Sequence, residues 1–184
     1  MPATLPRALL LLETPTRPRY FDGRMLTARD LQDEQAYHIA ARRRIALIAV
    51  GPGVVTGLRV SVESDRGCVV VSRGMAIDGL GREIIVPEAV ELPLASLPQP
   101  APNYVVLSYA EDLADPTPVM DDDGDSAGVQ HATVRETYRL SLSSTKPPDA
   151  DPGAGIVIGT VPAPRQRATS PRPTKRASPK RKKR

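Results

Sequence analysis

The stretch that decides the fold is residues 53–94, GVVTGLRVSVESDRGCVVVSRGMAIDGLGREIIVPEAVELPL. Within it, Leu58, Val60 and Val62 alternate with polar residues, which is the period of a half-buried strand. Residues 64–67 have the composition of a turn, because Asp hydrogen-bonds its own backbone and Gly accepts a positive φ. This part of the chain therefore predicts strands joined by tight turns.

The rest of the stretch continues the same pattern. Cys68–Val71 is a β-branched return strand, and we expect its cysteine to be a buried apolar thiol. Asp78-Gly79 is a strong hairpin signal. Three further short strands complete a predicted antiparallel meander: Met75–Ile77, Glu83–Val86 and Val90–Leu94. Nothing in the stretch has the pattern of a reactive group, so it predicts a scaffold.

The second half of the chain adds three predicted strands: Tyr104–Tyr109, Tyr138–Leu142 and Ile156–Val161. Residues 110–132 between them are predicted to form a long surface loop. Its acidic run at 121–125 lacks the ligand spacing of an EF-hand, which favours a solvated loop over a calcium site. Several short strands joined by turns indicate an antiparallel β-sandwich or a partly open barrel.

One long helix is predicted before the strands, over residues 28–49, which contain no Gly or Pro. Thr27 and Asp30 have the spacing of a capping box, and Gly51-Pro52-Gly53 predicts the stop. A single apolar line predicts that one face packs on the sheet, with His38 at the edge of the core. The line and its flanks comprise Leu31, His38, Ile45, Ala41, Ile48 and Ala49.

Residues 1–26 form an extended arm, because each of its prolines restricts the preceding residue to extended geometry. The arm ends with Tyr20, Phe21 and Arg24 just before the helix. Two interpretations remain open: the aromatic pair packs on the helix start as a hydrophobic staple, or it docks on a partner protein. Asp78 and Arg82 are expected at a hairpin tip, where Arg82 can pair with the adjacent Glu83 or address a neighbouring subunit.

Composition divides the 184 residues into one domain with appendages. Residues 162–184 carry ten Lys or Arg and no acid; without these ten, the 25 basic residues of the chain fall to 15 against 21 acidic ones. The tail is expected to be disordered, either as a solubilising terminus or as a binder of polyanions such as nucleic acid. Its candidate polyanion-binding residues are Arg172, Lys175, Arg176, Lys180, Arg181, Lys182, Lys183 and Arg184.

Other classes are disfavoured by the sequence. The run Ala8–Leu12 is too short to span a membrane and lacks a signal-peptide cleavage site, so a cytoplasmic protein without membrane insertion is expected. One Cys and two His provide too few ligands for a structural zinc site. No phosphate-binding loop, nucleophile elbow or metalloprotease pattern occurs. We therefore predict no catalytic residues, no metal and no cofactor.

The sequence resembles a family of small proteins and protein N-termini found with contractile phage-tail-like particles and their baseplate or tail-fibre components. The resemblance covers about residues 19–92 and is carried by Tyr20-Phe21-Asp22-Gly23-Arg24, Leu26-Thr27, Asp30-Leu31, Glu34-Gln35, Tyr37-His38, Arg42-Arg43-Arg44, Gly53-Val54-Val55, Gly57-Leu58, Gly74, Ala76-Ile77-Asp78 and Gly81-Arg82-Glu83-Ile84. It implies a structural or assembly role within a multi-subunit complex rather than chemistry. The basic tail is not part of the resemblance.

The sequence thus predicts an α+β, mainly β protein with three parts: an arm over 1–26, a helix plus β domain over 27–161, and a disordered basic tail over 162–184. We expect a non-enzymatic assembly component that binds other protein subunits through Tyr20, Phe21, Arg24, Asp78 and Arg82. The alternative is a nucleic-acid-associated protein whose β domain carries the basic tail.

Overall fold

The computed structural model describes residues 14–96, 103–120, 126–148 and 151–162. The regular elements of the described chain are one long helix, a 3-10 turn at Leu94–Ser96, and nine strands. In chain order the elements are α1 (Ala28–Ala49), β1 (Gly53–Gly57), β2 (Val60–Glu63), β3 (Cys68–Val71), β4 (Gly74–Ile77), β5 (Glu83–Val86), β6 (Val90–Pro93), β7 (Asn103–Met120), β8 (Ser126–Ser143) and β9 (Ile156–Val161).

The strands form three antiparallel sheets of three strands each, in the orders β1-β4-β5, β2-β3-β6 and β8-β7-β9. The predicted class, one N-terminal helix followed by antiparallel β structure, is confirmed. The predicted meander is wrong, because β6 returns to pair with β3. The pairing sets Val90 beside Val71 and Leu92 beside Val69, so apolar residues flank the most buried strand on both of its edges.

The strand predicted across Leu58 is broken at that residue. Leu58 is buried and has a φ of 54°, so the chain leaves β1 there and enters a different sheet at β2. Its backbone N–H donates to the carbonyl of Arg73 at 3.2 Å, which ties this crossing to the start of β4. The predicted turn at residues 64–67 is confirmed by backbone bonds from Arg66 to Glu63 and from Gly67 to Ser64.

All three sheets contribute to one apolar core. Its fully buried members are aliphatic: Leu58, Val69, Val71, Ala76, Ile84, Val86, Val105, Leu107 and Val161. Burying branched aliphatic side chains is the main stabilising contribution that such a body has, at about 1.5–3 kcal/mol for each fully buried residue. Cys68 is buried as a free thiol, as predicted.

The predicted surface loop over residues 110–132 is wrong for most of its length. β7 and β8 are 18 residues each and run as an antiparallel ribbon to Met120 and Ser126. β9 pairs only with the first residues of β7, Asn103–Leu107. The edge of β7 opposite β8 is therefore unpaired at Pro116 and Pro118, where a strand can accommodate a residue that has no backbone N–H to donate. The acidic run 121–125 lies outside the described residues.

The helix begins and ends where its sequence signals predict. Thr27 caps α1 in a complete capping box with Asp30. At the other end, the N–H groups of Val50 and Gly51 both donate to the Ala46 carbonyl at 3.0 Å. Gly51 then takes a φ of +83°, a conformation that glycine adopts without steric cost.

Candidate protein interface

The arm before α1 is fastened to the helix by polar contacts. The Tyr20 hydroxyl donates to a Glu34 carboxylate oxygen at 2.6 Å. Arg24 forms an ion pair with Asp30, donates to the Arg19 carbonyl at 2.5 Å, and lies 5.8 Å from the centroid of the Tyr20 ring. These contacts hold residues 19–24 against the first turns of the helix.

Asp30 joins the helix cap to the arm. One carboxylate oxygen accepts from the backbone N–H of Thr27 at 3.0 Å and from its hydroxyl at 2.7 Å, and the other meets Arg24. The hydrogen bonds from Thr27, with a smaller contribution from Arg24, lower the pKa of the Asp30 carboxyl. On the other side of the arm, the hydrogen bond to Glu34 raises the pKa of Tyr20.

This fastening leaves the apolar side chains of the arm uncovered. Phe21 is 63% exposed, Met25 is 86% exposed, and Leu26 is more than half exposed. We call these three residues the arm patch. A hydrophobic staple made by Phe21 is therefore wrong: Tyr20 and Arg24 hold the arm by polar groups, so the neighbouring ring need not pack on the helix.

The prediction that the apolar line of α1 packs on the sheet is also wrong. Leu31, Ile45 and Ile48 are each more than half exposed, and Leu47 is the buried residue of this helix. Leu47 lies a half-turn away from the predicted line, at 100° per residue. The helix therefore uses a different side to contact the β body.

His38 lies on the exposed line of the helix and not at the edge of the core. Its side chain is 70% exposed, and its nearest charged neighbour is Glu34, at 3.9 Å from Nε2. The ring also makes an edge contact with Tyr37, with 5.2 Å between the ring centroids. The predicted core-edge position is thus wrong, for the same reason that the predicted packing face is wrong.

The second half of α1 carries the contact with the body. Arg42 lies 3.9 Å from Glu83 on β5 and 3.8 Å from Glu136 on β8. The carbonyl oxygen of Arg43 is so close to Gly81 that a Cβ added there would stand 2.4 Å from it. The body thus approaches the helix at the turn between β4 and β5.

That turn contains Asp78 and Arg82, which the sequence placed at a displayed tip. The structure brings them together but turns Asp78 inward, at 1% exposure. Its carboxylate accepts from the N–H groups of Leu80 and Arg82 at 2.9 Å and from the Arg82 side chain at 2.5 Å. The expected display of Asp78 is therefore wrong, because an Asp at a turn start bonds to its own backbone.

Arg82 pairs with Asp78 and not with Glu83, which lies near Arg42 instead. Its guanidinium lies over the Tyr109 ring at 4.5 Å from the centroid, while the Tyr109 hydroxyl donates to Glu111 at 2.8 Å. Burial, and then the bond to Glu111, raise the pKa of Tyr109. The Arg82 side chain is one-fifth exposed, so a role in partner contact stays a prediction.

Several predicted residues fall outside the described chain. These are the arm residues 1–13 and the candidate polyanion-binding residues from Arg172 to Arg184. Among the described residues, no cluster of His, Cys, Asp and Glu is suited to hold a metal ion. Likewise, no described helix combines the length and hydrophobicity that crossing a bilayer requires.

Sequence reasoning missed Glu34, which anchors Tyr20, and the pairing of Arg24 with Asp30. The first contact spans 14 residues and the second spans 6. Both depend on how the arm folds back over the helix start, and no periodic pattern encodes that path. The capping-box spacing correctly predicted the contact between Asp30 and Thr27, but it did not predict the ion pair between Asp30 and Arg24.

No protein-family profile and no curated protein matches this chain. Two solved structures are similar in shape to parts of it. A chain of the baseplate complex from the type VI secretion system shares 13% identity at a TM-score of 0.42, covering 71% of this chain and 49% of that one. A chain of the TssK-TssF-TssG baseplate subcomplex of that system shares 14% identity at a TM-score of 0.44, covering 82% and 56%.

The chain therefore spans about half the length of the chains that it matches. At TM-scores and identities this low, neither match carries an argument about this protein.

Proposed function

We propose that this protein is a non-enzymatic assembly component of a phage-tail-like contractile injection particle, where it binds neighbouring subunits at the baseplate or at a fibre attachment point. The observation that carries the proposal is the arm patch, Phe21, Met25 and Leu26, held exposed on a fastened arm. The kind of particle is inferred from the sequence resemblance over about residues 19–92. In this proposal the protein acts in the cytoplasm, where the particle assembles.

The arm patch suits protein binding on physical grounds. Aromatic residues and Met are among the residue types enriched at protein–protein interfaces. A docking element that is already ordered also loses less conformational entropy on binding. Here the ordering comes from Tyr20 and Arg24, whose bonds to Glu34 and Asp30 fix the backbone that carries Phe21.

The roles of the arm residues then differ. Phe21 contacts the partner, whereas Tyr20 and Arg24 position it from the helix side. Replacing Phe21 should remove partner contacts and leave the free domain intact. Replacing Arg24 should loosen the arm and affect both the helix start and partner binding.

The test is incorporation of full-length variants into the assembled particle, measured by quantifying this chain in purified particles. Phe21→Ala should lower its occupancy strongly while its melting temperature stays near that of the wild type. Ile85→Ala is the matched control, because Ile85 on β5 is, like Phe21, a large and mostly exposed apolar residue. The control variant should be incorporated normally.

Full occupancy of Phe21→Ala in particles would contradict the proposal. So would an equal loss with Ile85→Ala, because a general surface effect would then explain both. A lowered melting temperature for Phe21→Ala alone would indicate that the ring supports the fold, which its exposure argues against.

A second candidate function is favoured by the ten basic residues and the absence of acids in residues 162–184. Lys and Arg in such numbers bind nucleic acid through phosphates, without reading sequence. This candidate predicts that deleting the tail abolishes activity, whereas the assembly proposal predicts that the truncated chain still enters particles.

A further inference from the structure

The β7–β8 ribbon extends beyond the body as two strands without a third. β9 pairs with β7 only at Asn103–Leu107, and no other described strand pairs with either member of the ribbon. Residues 127–136 of β8 are all exposed. A two-stranded ribbon is at best marginally stable in water, and a third strand or a packed face is needed to support it. The outer part of the ribbon therefore lacks a strand partner within the described chain.

The two edges of this ribbon differ. On β7, Pro116 and Pro118 have no N–H to offer a further strand, which is one way in which natural sheets close an edge. On β8, residues 126–143 contain no proline, and residues 126–134 contain no Asp, Glu, Lys or Arg. A long, proline-free and uncharged edge is a template for pairing with another chain. One edge of the ribbon is thus closed to a further strand, and the other is open.

The prolines also determine which backbone groups of β8 face outward. Pro116 lies opposite His131, and Pro118 lies opposite Val129. Because proline cannot donate, these are non-hydrogen-bonded pairs of the antiparallel ladder, and both members of such a pair direct their N–H and C=O groups away from each other. Alternation along β8 gives four outward residues: Val129, His131, Thr133 and Arg135.

The regular part of the open edge has a limit on each side. Towards the ribbon tip, Gly128 has a φ of 134°, and the register shifts between its partner Val119 and the next residue. Towards the body, the Glu136 side chain lies 3.8 Å from Arg42. The four outward residues between these limits are placed symmetrically about Ala132.

From the open edge and its symmetric outward groups, we propose that β8 pairs antiparallel with β8 of a second copy of this chain, with the two-fold axis at Ala132. This register sets His131 opposite Thr133 and Val129 opposite Arg135, twice each. Every outward N–H of residues 129–135 then meets a carbonyl of the other copy. Arg135 is the charged residue of this stretch, and it faces Val129, so the register places no like charges opposite each other.

A second copy is favoured over another strand because the pairing then closes. The pair forms a four-stranded sheet in the order β7-β8-β8-β7, and both of its outer edges carry Pro116 and Pro118. The ribbon keeps no open edge, so the assembly stops at two copies, as expected of a two-fold contact. A strand from another protein would bring an outer edge of its own that still had to be closed. The inference does not rest on the arm patch or on the proposed function.

Amide exchange in the full-length chain, followed residue by residue by NMR at low and high concentration, tests the pairing. The N–H groups of His131 and Thr133 should exchange rapidly in the dilute chain. Where about nine-tenths of the chain is paired, their exchange should be slower by roughly tenfold, because only the unpaired tenth can exchange. Gln130 and Val134, whose N–H groups face β7, are the internal control and should already be slower than their neighbours in the dilute chain.

Single-cysteine variants locate the axis. In Ala132→Cys, the two copies of residue 132 would have Cα atoms about 4.5 Å apart in a non-hydrogen-bonded pair, so mild oxidation should form a disulfide between them. Gln130→Cys is the matched control, because residue 130 is exposed on the same face of β8. Its two copies would lie four residues, or about 13 Å, apart and should not link. The wild-type chain, whose Cys68 is buried, gives the background.

Sedimentation measures the strength of the pairing. Thr133→Pro removes an outward N–H but no hydrogen bond to β7, so self-association should weaken by roughly tenfold or more, while the melting temperature stays near that of the wild type. Thr133→Ala is its control: it removes the side chain, keeps the N–H, and should associate as the wild type does.

Three results would overturn the proposal. Slow exchange of His131 and Thr133 at every concentration would mean that another segment of the same chain, such as residues 1–13, covers the edge. Fast exchange at every concentration would mean that the edge is open to a different protein. Disulfide formation by Gln130→Cys as readily as by Ala132→Cys would contradict an axis at Ala132.

Discussion

The β body buries large apolar residues, whereas the helix and its arm leave theirs exposed. Ile84 on β5 is fully buried, whereas Ile45 on α1 is 66% exposed. Both residues lie in segments whose periodicity is clear in the sequence. Apolar periodicity therefore identifies the kind of element, but it does not say whether the chain buries the apolar face.

The two regions are also held by different interactions. The body depends on aliphatic packing among three sheets. The helix start depends on a cap, an ion pair and a tyrosine hydroxyl. Most of the stability of a helix in a protein comes from its tertiary contacts, so the contact with the β4–β5 turn and the contacts with the arm matter for the order of α1.

The largest expected effect separates the two isoleucines. Ile84→Ala should lower the free energy of unfolding by about 2–5 kcal/mol, because it opens a cavity in the core. Ile45→Ala should change it by no more than about 0.5 kcal/mol, as for other exposed substitutions. Urea unfolding at concentrations where the chain is monomeric measures both. Equal losses would mean that the exposed face of α1 is covered within the chain.

The contact between the two regions is tested at Gly81. Gly81→Ala should cost about 1–3 kcal/mol, because the residue has a φ of +78° and its new Cβ meets the Arg43 carbonyl. Gly67→Ala is the matched control: its φ is +63°, and nothing lies within 4 Å of the added Cβ. Gly81→Ala alone should speed amide exchange in the second half of α1. Identical exchange in both variants would show that the helix does not depend on this turn.

A smaller effect is expected at the helix cap. Thr27→Ala should cost about 1 kcal/mol, and it should raise the pKa of Asp30 towards its ordinary value of 3.8. Because the pKa of Asp30 is lower in the folded state, the stabilisation that its carboxylate provides is complete above about pH 3.8. This stabilisation is lost as the pH falls through the lowered pKa.

Carboxyl NMR titration of Asp30 checks this prediction. Arg24→Ala should raise the Asp30 pKa less than Thr27→Ala does, since the Thr27 bonds are the larger cause. The reverse order would show that the arm, rather than the cap, controls this carboxylate.

The smallest effect is expected at the tail. Deleting residues 162–184 should leave the melting temperature unchanged, because the segment has no apolar face to offset an ordering cost of about 1–2 kcal/mol per residue. Any binding of the intact chain to DNA should fall steeply with salt and disappear with the tail. A melting temperature several degrees lower after deletion would show that the tail packs on the body.

Local signals account for what the sequence predicted correctly. The bounds of α1, its cap at Thr27 and the turn at residues 64–67 each depend on residues close together in the chain. The existence of the strands followed from alternation and β-branched runs.

Long-range pairing accounts for most of what the sequence did not predict. The return of β6 to β3 joins strands whose alternative partners have equally apolar sequences. The sequence did not predict the β7–β8 ribbon, because Pro116, Pro118 and the acidic residues after them are typical of loops. In the candidate site, the residues of the arm were identified, but the inward turn of Asp78 and the anchoring role of Glu34 depend on tertiary contacts.

The most direct test of the central claim measures whether the arm patch is uncovered in the free chain and covered in the assembly. In an Asp22→Cys variant, which keeps Phe21 and places a thiol at the exposed position beside it, a maleimide should label residue 22 rapidly in the purified chain, while Cys68 stays protected by burial. Ile85→Cys serves as the control on the body. We predict that incorporation into particles protects Asp22→Cys and leaves Ile85→Cys reactive. Equal labelling of Asp22→Cys in the free chain and in particles would contradict the account.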